Sequence, residues 1–252
     1  MKNFVKQDSI VREIWGKSDT ILFIFAGAAA EFALNKAVDW LYFTGKLPAD
    51  PLGRLFSTVG YARQIVFSKE EAANQAIDKI ASIHSAVEKS RGGQIPDWAY
   101  RDVLFMLIDY SISSYELLER KLTEAEKAEI FDVFYRVGDR MKLVGLPKTF
   151  TEWVAMRAEH LQNHLIKSDF TTDLFKQYKK HLGFVRYNLL LEGQKLVVPK
   201  KVAELLEFNK VPFLVPVIAV YKLSRIFKLD SLLKNIILPK EYKEEIRQLD
   251  VA

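Results

Sequence analysis

The chain has 252 residues, of which 49% are hydrophobic and 27% charged, and its formal net charge is +5. This is ordinary globular composition, and the chain is long enough to bury a sizeable core. Basic residues are interspersed with acidic ones and form no basic block, which argues against a nucleic-acid-binding protein. The absence of cysteine excludes disulfides, thiolate zinc sites, cysteine-held iron–sulfur clusters and thiolate-ligated haem.

No stretch has the pattern of a secretory signal or of a membrane-spanning helix. The N-terminus lacks an apolar core behind its charges, and the longest apolar run, Thr20 to Ala30, is closed by Glu31 and is too short to cross a bilayer. A second apolar stretch, Val211 to Tyr221, is also short and carries two prolines. We therefore expect a cytoplasmic chain, and its mildly basic surface leaves peripheral membrane association open.

Helical signals begin near the N-terminus. Ser18 and Asp19 can cap a long helix through ILFIFAGAAAEFALNKAVDWLYF, whose apolar first half indicates a central, buried position. Asp50-Pro51 is a strong start signal for the next helix, PLGRLFSTVGYARQIVF. Its apolar stripe is formed by Leu52, Leu55, Phe56, Val59 and Val66, and a second face carries Arg54, Thr58 and Tyr61.

The third predicted helix contains a histidine inside an aliphatic stripe. Ser68 and Glu71 have the spacing of a capping box, and the helix that follows, KEEAANQAIDKIASIHSAVEKS, stops at Gly92-Gly93. His84 lies within its apolar stripe, which is made of Ala73, Ala76, Ile77, Ile80, Ile83 and Val87.

The remaining sequence also favours helices. We predict them from Asp97 to Arg120, Thr123 to Leu143, Thr149 to about Lys167 and Thr172 to Leu182. The stretch GFVRYNLLLEGQKLVVPK is less regular, and its Val-Val-Pro suggests a short strand. Three further helices follow, in VPKKVAELLEF, VPFLVPVIAVYKLSRIF and the charged C-terminus. Alternation at period two is almost absent, so one all-α domain over residues 1–252 is the simplest prediction.

Several catalytic motifs are missing. The sequence has no GxSxG, GxGxxG, complete phosphate loop or HExxH, and no histidine follows a Glu by three residues as in di-iron bundles. His160 and His164 lie one helical turn apart, a spacing that can hold a metal. Because no third ligand is evident, we expect them to be two histidines of a half-buried helical face and not a metal site.

His84 allows two interpretations. A core histidine bonded to a backbone carbonyl is the simpler one, and periodicity alone favours it. The other is a neutral imidazole that ligates iron while its second nitrogen is fixed by a carbonyl. Arg54 and Thr58 likewise form either a solvated face or a cationic, hydroxyl-bearing stripe that faces a cofactor, and spacing alone favours the solvated face.

These same residues carry a family resemblance. The segment DPLGRLFSTVGYARQIVFSKEEAANQAIDKIASIHSAV resembles the core signature of the MpaB, rubber-oxygenase and latex-clearing-protein family. DSIVREIWGKSDTILFIFAGAAAEFAL is similar to the first segment of the family, LTEAEKAEIFDVFYRVGDRMKLVGLPKTFTEW to its middle, and VVPKKVAELLEF with the following helices to its end. The resemblance spans almost the whole chain, and the order of the segments is more specific than any one of them.

The resemblance implies a globin-like all-α core around haem b, with His84 as the proximal iron ligand. It assigns Arg54 and Thr58 to the haem pocket, and it implies an oxygenase that uses dioxygen on a hydrophobic, isoprenoid or lipid-like substrate. The chain departs from the pattern of latex clearing proteins at Ser57, where they have a lysine, and at Ala81, where they have an arginine. DWLYFTGK also replaces the usual His-Ser.

Our first hypothesis is therefore a haem b-dependent oxygenase in which His84 binds iron and Arg54 and Thr58 orient a propionate or bound oxygen. The alternative is a non-enzymatic helical protein that binds haem or a lipid, or a family member that has lost its cofactor. The sequence identifies neither the substrate nor the oligomeric state.

Overall fold

The computed structural model describes residues 2–208 and 212–226, and their regular structure is helical. The only β pairing within these ranges is two isolated bridges, Asn3 to Lys69 and Asn35 to Leu165. The helices are α1 (Ile10–Trp15), α2 (Ser18–Phe32), α3 (Asp39–Phe43), α4 (Lys46–Ala49), α5 (Pro51–Phe67), α6 (Glu70–Arg91), α7 (Asp97–Leu118), α8 (Glu124–Arg140), α9 (Phe150–Asn163), α10 (Asp169–Val197), α11 (Lys200–Leu205) and α12 (Leu214–Ile226). The predicted all-α fold is confirmed, and the globin-like arrangement stays a prediction.

Helices α2 and α7 form the centre of the molecule, with α1, α8 and α10 packed around them. The apolar first half of α2 predicted this position, and Ile21 and Ile24 are fully buried. Trp15 is also fully buried, and its indole N–H donates to the Ser111 hydroxyl of α7 at 3.2 Å. Trp15 therefore joins α1 to α7 by packing and by a hydrogen bond.

The long first helix predicted through Phe43 is interrupted. Helix α2 ends at Phe32, and the chain resumes as the short α3 at Asp39. Between them the chain pairs with a distant segment: Lys36 N–H donates to the His164 carbonyl, and Ile166 N–H donates to the Leu34 carbonyl. The predicted helix is wrong here because these tertiary backbone hydrogen bonds replace the helical ones.

The next two helices begin close to the predicted positions. Asp50 caps α5 through its carboxylate, which accepts from Gly53 N–H at 2.9 Å, as the Asp-Pro signal predicts. The predicted Ser68 capping box is wrong, because Lys69 is the N-cap of α6 and its side chain makes no capping hydrogen bond. The Ser68 carbonyl instead accepts from Phe4 N–H. Pairing with the N-terminal segment thus holds the α5–α6 junction.

The predicted capping residues at α8 and α9 have different outcomes. Thr123 and Glu126 form a complete capping box at the start of α8. Thr149 caps α9 by accepting from Glu152 N–H, but the Glu152 carboxylate accepts from Lys148 N–H and leaves the box incomplete. Both helices therefore start where the sequence predicts.

Helix α10 is longer than predicted. It continues to Val197 through a kink at Gly183, whose φ of 70° suits glycine. The segment predicted to be irregular is thus helical, and no strand forms at Val-Val-Pro. The predicted charged C-terminal helix lies outside the described residues. No helix of the described ranges has the length and apolarity needed to cross a bilayer.

Candidate functional site

His84 lies on the half-buried face of α6 and points toward α7. Its imidazole meets the ring of Tyr100 edge-on, with 5.2 Å between the ring centroids. The Nδ1 atom of His84 is buried and has no hydrogen-bond partner among the described residues. The predicted carbonyl partner is therefore not seen, and a buried nitrogen without a partner is rare enough to require an explanation.

Glu88, one turn after His84, fixes the surroundings of this imidazole. Its carboxylate accepts from the Tyr100 hydroxyl at 3.0 Å and from Ile95 N–H at 2.9 Å. These bonds tie the last turns of α6 to the start of α7 and hold the Tyr100 ring against His84. The imidazole is thus positioned by packing, and its ring nitrogens stay free of hydrogen bonds from the described residues.

Arg54 approaches His84 from the neighbouring helix α5. Its guanidinium donates to the Thr58 hydroxyl at 3.2 Å, and that hydroxyl donates to the Arg54 carbonyl at 3.2 Å. The guanidinium is largely withdrawn from water and has no carboxylate partner in the part of the chain that the structure describes. The structure thus brings the three predicted residues Arg54, Thr58 and His84 together, while Ser57 is exposed.

Burial lowers the pKa of both ionisable groups and so favours their neutral forms. Burial lowers the pKa of His84, and the nearby Arg54 charge lowers it further, against a weaker opposing effect of Glu88. Burial also lowers the pKa of Arg54. His84 is therefore favoured as a neutral imidazole, which is the form that ligates a metal.

The segment that departs from the family pattern packs against the end of α6. Asp39 of α3 pairs with Arg91 at 2.7 Å, and the Arg91 guanidinium lies 4.0 Å from the centre of the Trp40 ring. DWLYFTGK thus anchors the C-terminal end of the helix that carries His84.

A second polar cluster, which the sequence did not predict, lies in the core around Glu31. The Glu31 side chain is fully buried and accepts two hydrogen bonds from Arg157, at 2.5 and 2.6 Å. Arg157 also donates to Asp109 at 2.8 Å. Tyr110 donates its hydroxyl to the second oxygen of Glu31 at 2.7 Å. The cluster therefore joins α2, α7 and α9 through charge-assisted hydrogen bonds.

Gly27 makes room for this arrangement. It lies one turn before Glu31, and a Cβ atom built on it would come within 2.3 Å of the Tyr110 ring. Only a residue without a side chain allows the Tyr110 ring to cross α2 and reach the Glu31 carboxylate. The glycine in the apolar run GAAAE is thus a packing requirement of the buried cluster.

His160 continues the cluster on the other side of Glu31. Its Nε2 lies 2.9 Å from Glu31, and its Nδ1 lies 2.6 Å from the Asp102 carboxylate of α7. His164 brings its Nδ1 to 3.1 Å from Asp102 and to 3.2 Å from Nδ1 of His160. Asp102, His160 and His164 thus direct one possible ligand atom each toward a common point, all within 4.8 Å of one another.

The break after α2 helps to build this triad. Asn35, in the break, donates to Asp102 at 3.3 Å, and backbone pairing of the same segment holds His164. Trp98 packs on the His164 ring with 4.4 Å between centroids. The sequence predicts no metal at His160 and His164 because no third ligand is evident there. Asp102 is a possible third ligand, so that reason is wrong.

The ionisable groups of the buried cluster have pKa values shifted in different directions. Burial alone would raise the pKa of Glu31, but Arg157 and His160 lower it to about 2. Burial would lower the pKa of His160, but the hydrogen bonds to Asp102 and Glu31 raise it. Burial raises the pKa of Asp109 in spite of Arg157. Glu31 is thus held as a carboxylate, and in the absence of a cation His160 is favoured as an imidazolium.

Sequence patterns contained weak signals for these residues. Glu31 interrupts an otherwise apolar helix, Asp102 and Asp109 are seven residues apart on one face of α7, and Arg157 and His160 are three apart on α9. A charged residue inside an apolar stripe indicates that it has a buried polar partner, but no local sequence pattern identifies that partner. The two groups of residues meet on α7, where Tyr100 contacts His84 and Asp102 contacts the histidine pair.

Comparison with known proteins identifies the family. Residues 15–220 match the family described as ER-bound oxygenase mpaB/B'/Rubber oxygenase, catalytic domain. Searches of curated proteins and of solved structures gave no significant match. The matched range contains most of the chain and includes Arg54, His84, Glu31 and the Asp102 triad. The chain therefore belongs to the MpaB and rubber oxygenase family, a family of oxygenases.

Proposed function

We propose that the protein is a haem b-dependent oxygenase in which His84 binds the iron and Arg54 and Thr58 flank the cofactor. One observation carries the proposal: among the described residues, a buried His84 nitrogen without a hydrogen-bond partner lies beside a half-buried Arg54 without a carboxylate partner. Membership of an oxygenase family supports the reaction class.

Both residues fit what haem presents. A neutral imidazole is a common proximal ligand of haem iron. A buried guanidinium is costly without an anionic partner, and a haem propionate would supply one. Thr58 already accepts a hydrogen bond from Arg54, so it holds the guanidinium in place whether or not an anion is bound.

Bound haem would supply the chemistry of dioxygen activation, and the chain would supply positioning. Glu88 and Tyr100 orient the imidazole of His84 through the bonds that join α6 to α7. Arg54 would donate to an anionic oxygen of the cofactor, and Thr58 restrains the guanidinium through its hydroxyl. The neutral state of His84, favoured by burial, leaves a nitrogen lone pair for the metal.

The proposed substrate is a hydrophobic small molecule with isoprenoid or lipid character, reached by peripheral association with a membrane surface. The supporting feature is α12, which is anchored by Glu192 accepting from Phe213 N–H at 2.7 Å and by Tyr221 donating to Asp19 at 2.8 Å. Apolar side chains in and just before α12 are exposed: Phe213, Val215, Val217 and Val220. Such an exposed apolar surface is typical of an interaction site.

Binding to vesicles tests the role of α12. Val220→Glu should weaken sedimentation with vesicles of phosphatidylcholine and phosphatidylglycerol, because a carboxylate replaces an apolar contact that is 62% exposed. Val144→Glu, at a site that is 63% exposed outside α12, is the matched control and should bind as the unmodified protein does. Equal binding of the two variants would contradict the role of α12.

The reaction is tested by oxygen uptake. Cleavage of a carbon–carbon double bond by one dioxygen molecule places one oxygen atom in each of two carbonyl products and needs no further reductant. The haem-loaded protein should consume oxygen with unsaturated isoprenoid lipids and incorporate both labelled atoms from ¹⁸O₂. His84→Ala should abolish uptake, and His181→Ala, an exposed histidine of α10, should not. Unchanged uptake by His84→Ala would contradict the proposal.

A further inference from the structure

Asp102, His160 and His164 converge in the way that metal ligands do. His160 Nδ1 lies 2.6 Å from one carboxylate oxygen of Asp102, His164 Nδ1 lies 3.1 Å from the other, and the two Nδ1 atoms lie 3.2 Å apart. Ligands held at about 2.0–2.2 Å from an ion lie roughly 3 Å apart. A first-row ion therefore fits between them with only small shifts of the side chains.

The hydrogen bond between His160 and Glu31 leaves a nitrogen that needs a positive partner. If Nε2 of His160 donates to Glu31, as the 2.9 Å distance indicates, Nδ1 of a neutral ring presents its lone pair. That lone pair faces the Asp102 carboxylate at 2.6 Å, an arrangement that is repulsive unless a proton or a cation lies between them. His164 Nδ1 points at the same place, which a cation satisfies together with the other two atoms.

We propose that Asp102, His160 and His164 bind a divalent first-row transition-metal ion, at a site separate from the haem site. Two histidines and one carboxylate with open positions are the ligand set of non-haem Fe(II) oxygenases and also suit Zn²⁺. The inference does not rest on the proposed haem function. It reverses the prediction that His160 and His164 are not a metal site.

The residues behind the three ligands have the character of an outer ligand shell. Glu31 accepts from the remote nitrogen of His160, Arg157 holds Glu31 with two hydrogen bonds, and Asn35 donates to Asp102. Carboxylate–histidine–metal arrangements of this kind fix the tautomer and the ring orientation. A cation would also balance charge, because Glu31 and Asp109 share the guanidinium of Arg157, whereas the Asp102 carboxylate lies beside the two histidines.

The site is closed on one side and accessible on the other. His160 and Asp102 are buried, whereas the side chain of His164 is 26% exposed. His164 ends α9, and Trp98 supports its ring. An ion could enter past His164, and a water molecule or a substrate atom could complete its coordination from that side.

Zinc binding to the purified protein tests the proposal. After chelator treatment and dialysis against Zn²⁺, elemental analysis should find one zinc per chain, with haem counted separately from its absorption. His164→Ala and Asp102→Asn should each weaken zinc binding by at least about 10-fold, and the outer-shell variant Glu31→Gln by about 10- to 100-fold. His84→Ala and His181→Ala should bind zinc as the unmodified protein does.

The outcomes separate this proposal from the haem proposal. Loss of zinc in His164→Ala with normal haem content supports the site, and circular dichroism checks that the variant is folded. His164 is partly exposed and does not contact Glu31, so its replacement leaves the Arg157 bonds in place. The proposal is overturned if the unmodified protein binds no zinc, if His164→Ala and Asp102→Asn bind zinc normally, or if His84→Ala loses it instead.

Discussion

The surroundings of His84 and the cluster around Glu31 differ in how completely their polar atoms are partnered. Glu31 is fully buried, and every one of its close polar neighbours, Arg157, Tyr110 and His160, bonds to it directly. His84 and Arg54 are half-buried. Among the described residues, His84 Nδ1 has no hydrogen-bond partner and Arg54 has no carboxylate partner. The contrast indicates that the cluster around Glu31 stabilises the fold, whereas the surroundings of His84 have the unpartnered groups on which the proposed haem site rests.

Breaking the Glu31 cluster should have the largest effect on stability. Arg157→Leu leaves the Glu31 carboxylate buried without its main partner, which typically costs about 3–5 kcal/mol in the free energy of unfolding. Arg140→Leu is the matched control, because Arg140 also binds a carboxylate, that of Asp78, with two hydrogen bonds but at the surface. Its loss should lower the free energy of unfolding much less, because water and salt screen an exposed ion pair. Denaturant unfolding that gives equal losses would contradict the contrast.

The same carboxylate should make stability depend on acid pH. The pKa of Glu31 is about 2 in the fold against 4.5 for a free side chain, so its contribution is complete above about pH 5 and is lost as pH falls toward 2. The shift corresponds to roughly 3 kcal/mol. Between about pH 6 and about pH 3, the stability of Glu31→Gln should therefore fall less than that of the unmodified protein. A parallel decline in both would disprove the assignment.

Removing the Arg54 guanidinium should weaken haem retention and leave the fold intact. Arg54→Leu should weaken haem retention by about 1.5–3 kcal/mol, the usual value of a charge-assisted hydrogen bond, without loss of helicity. Lys89→Leu, an exposed cation at the end of α6, is a suitable control. Arg63 is unsuitable, because it donates to the Trp15 carbonyl and lies over Phe67. Equal haem affinity in the Arg54 and Lys89 variants would favour a solvated role for Arg54.

The smallest expected effects on stability come from two glycine substitutions, one destabilising and the other neutral or stabilising. Gly27→Ala should destabilise the protein by about 1–3 kcal/mol, because the added methyl group collides with the Tyr110 ring. Gly60→Ala, within α5, meets no atom within 4 Å and should be neutral or stabilising by up to about 1 kcal/mol. Thermal unfolding of both variants measures the difference, and a tolerated Gly27→Ala would show that the core near Glu31 is loosely packed.

Local signals in the sequence were sufficient to predict most helices. The Asp50-Pro51 start, the Thr123 capping box and the Gly92 stop are contacts between near neighbours, so they can be predicted without the tertiary structure. Arg54, Thr58 and His84 were assigned to one site by the family resemblance, because spacing alone favoured a solvated face and a core histidine.

The Glu31 cluster could not be predicted in the same way. Glu31 and Arg157 are 126 positions apart in the sequence, and no local pattern specifies that pairing. The break after α2 was also missed, because its cause is a backbone bridge between Asn35 and Leu165 and not a helix-breaking residue. Both features depend on long-range polar contacts, which sequence periodicity cannot predict.

Haem content is the most direct test of the central claim, that His84 holds haem iron. The purified full-length protein, saturated with haem b and freed of excess, should show the intense Soret absorption of bound haem. His84→Ala should lose it while far-UV circular dichroism stays unchanged, and His181→Ala should keep it. A His84→Ala variant that is folded and retains full haem absorption would contradict the account.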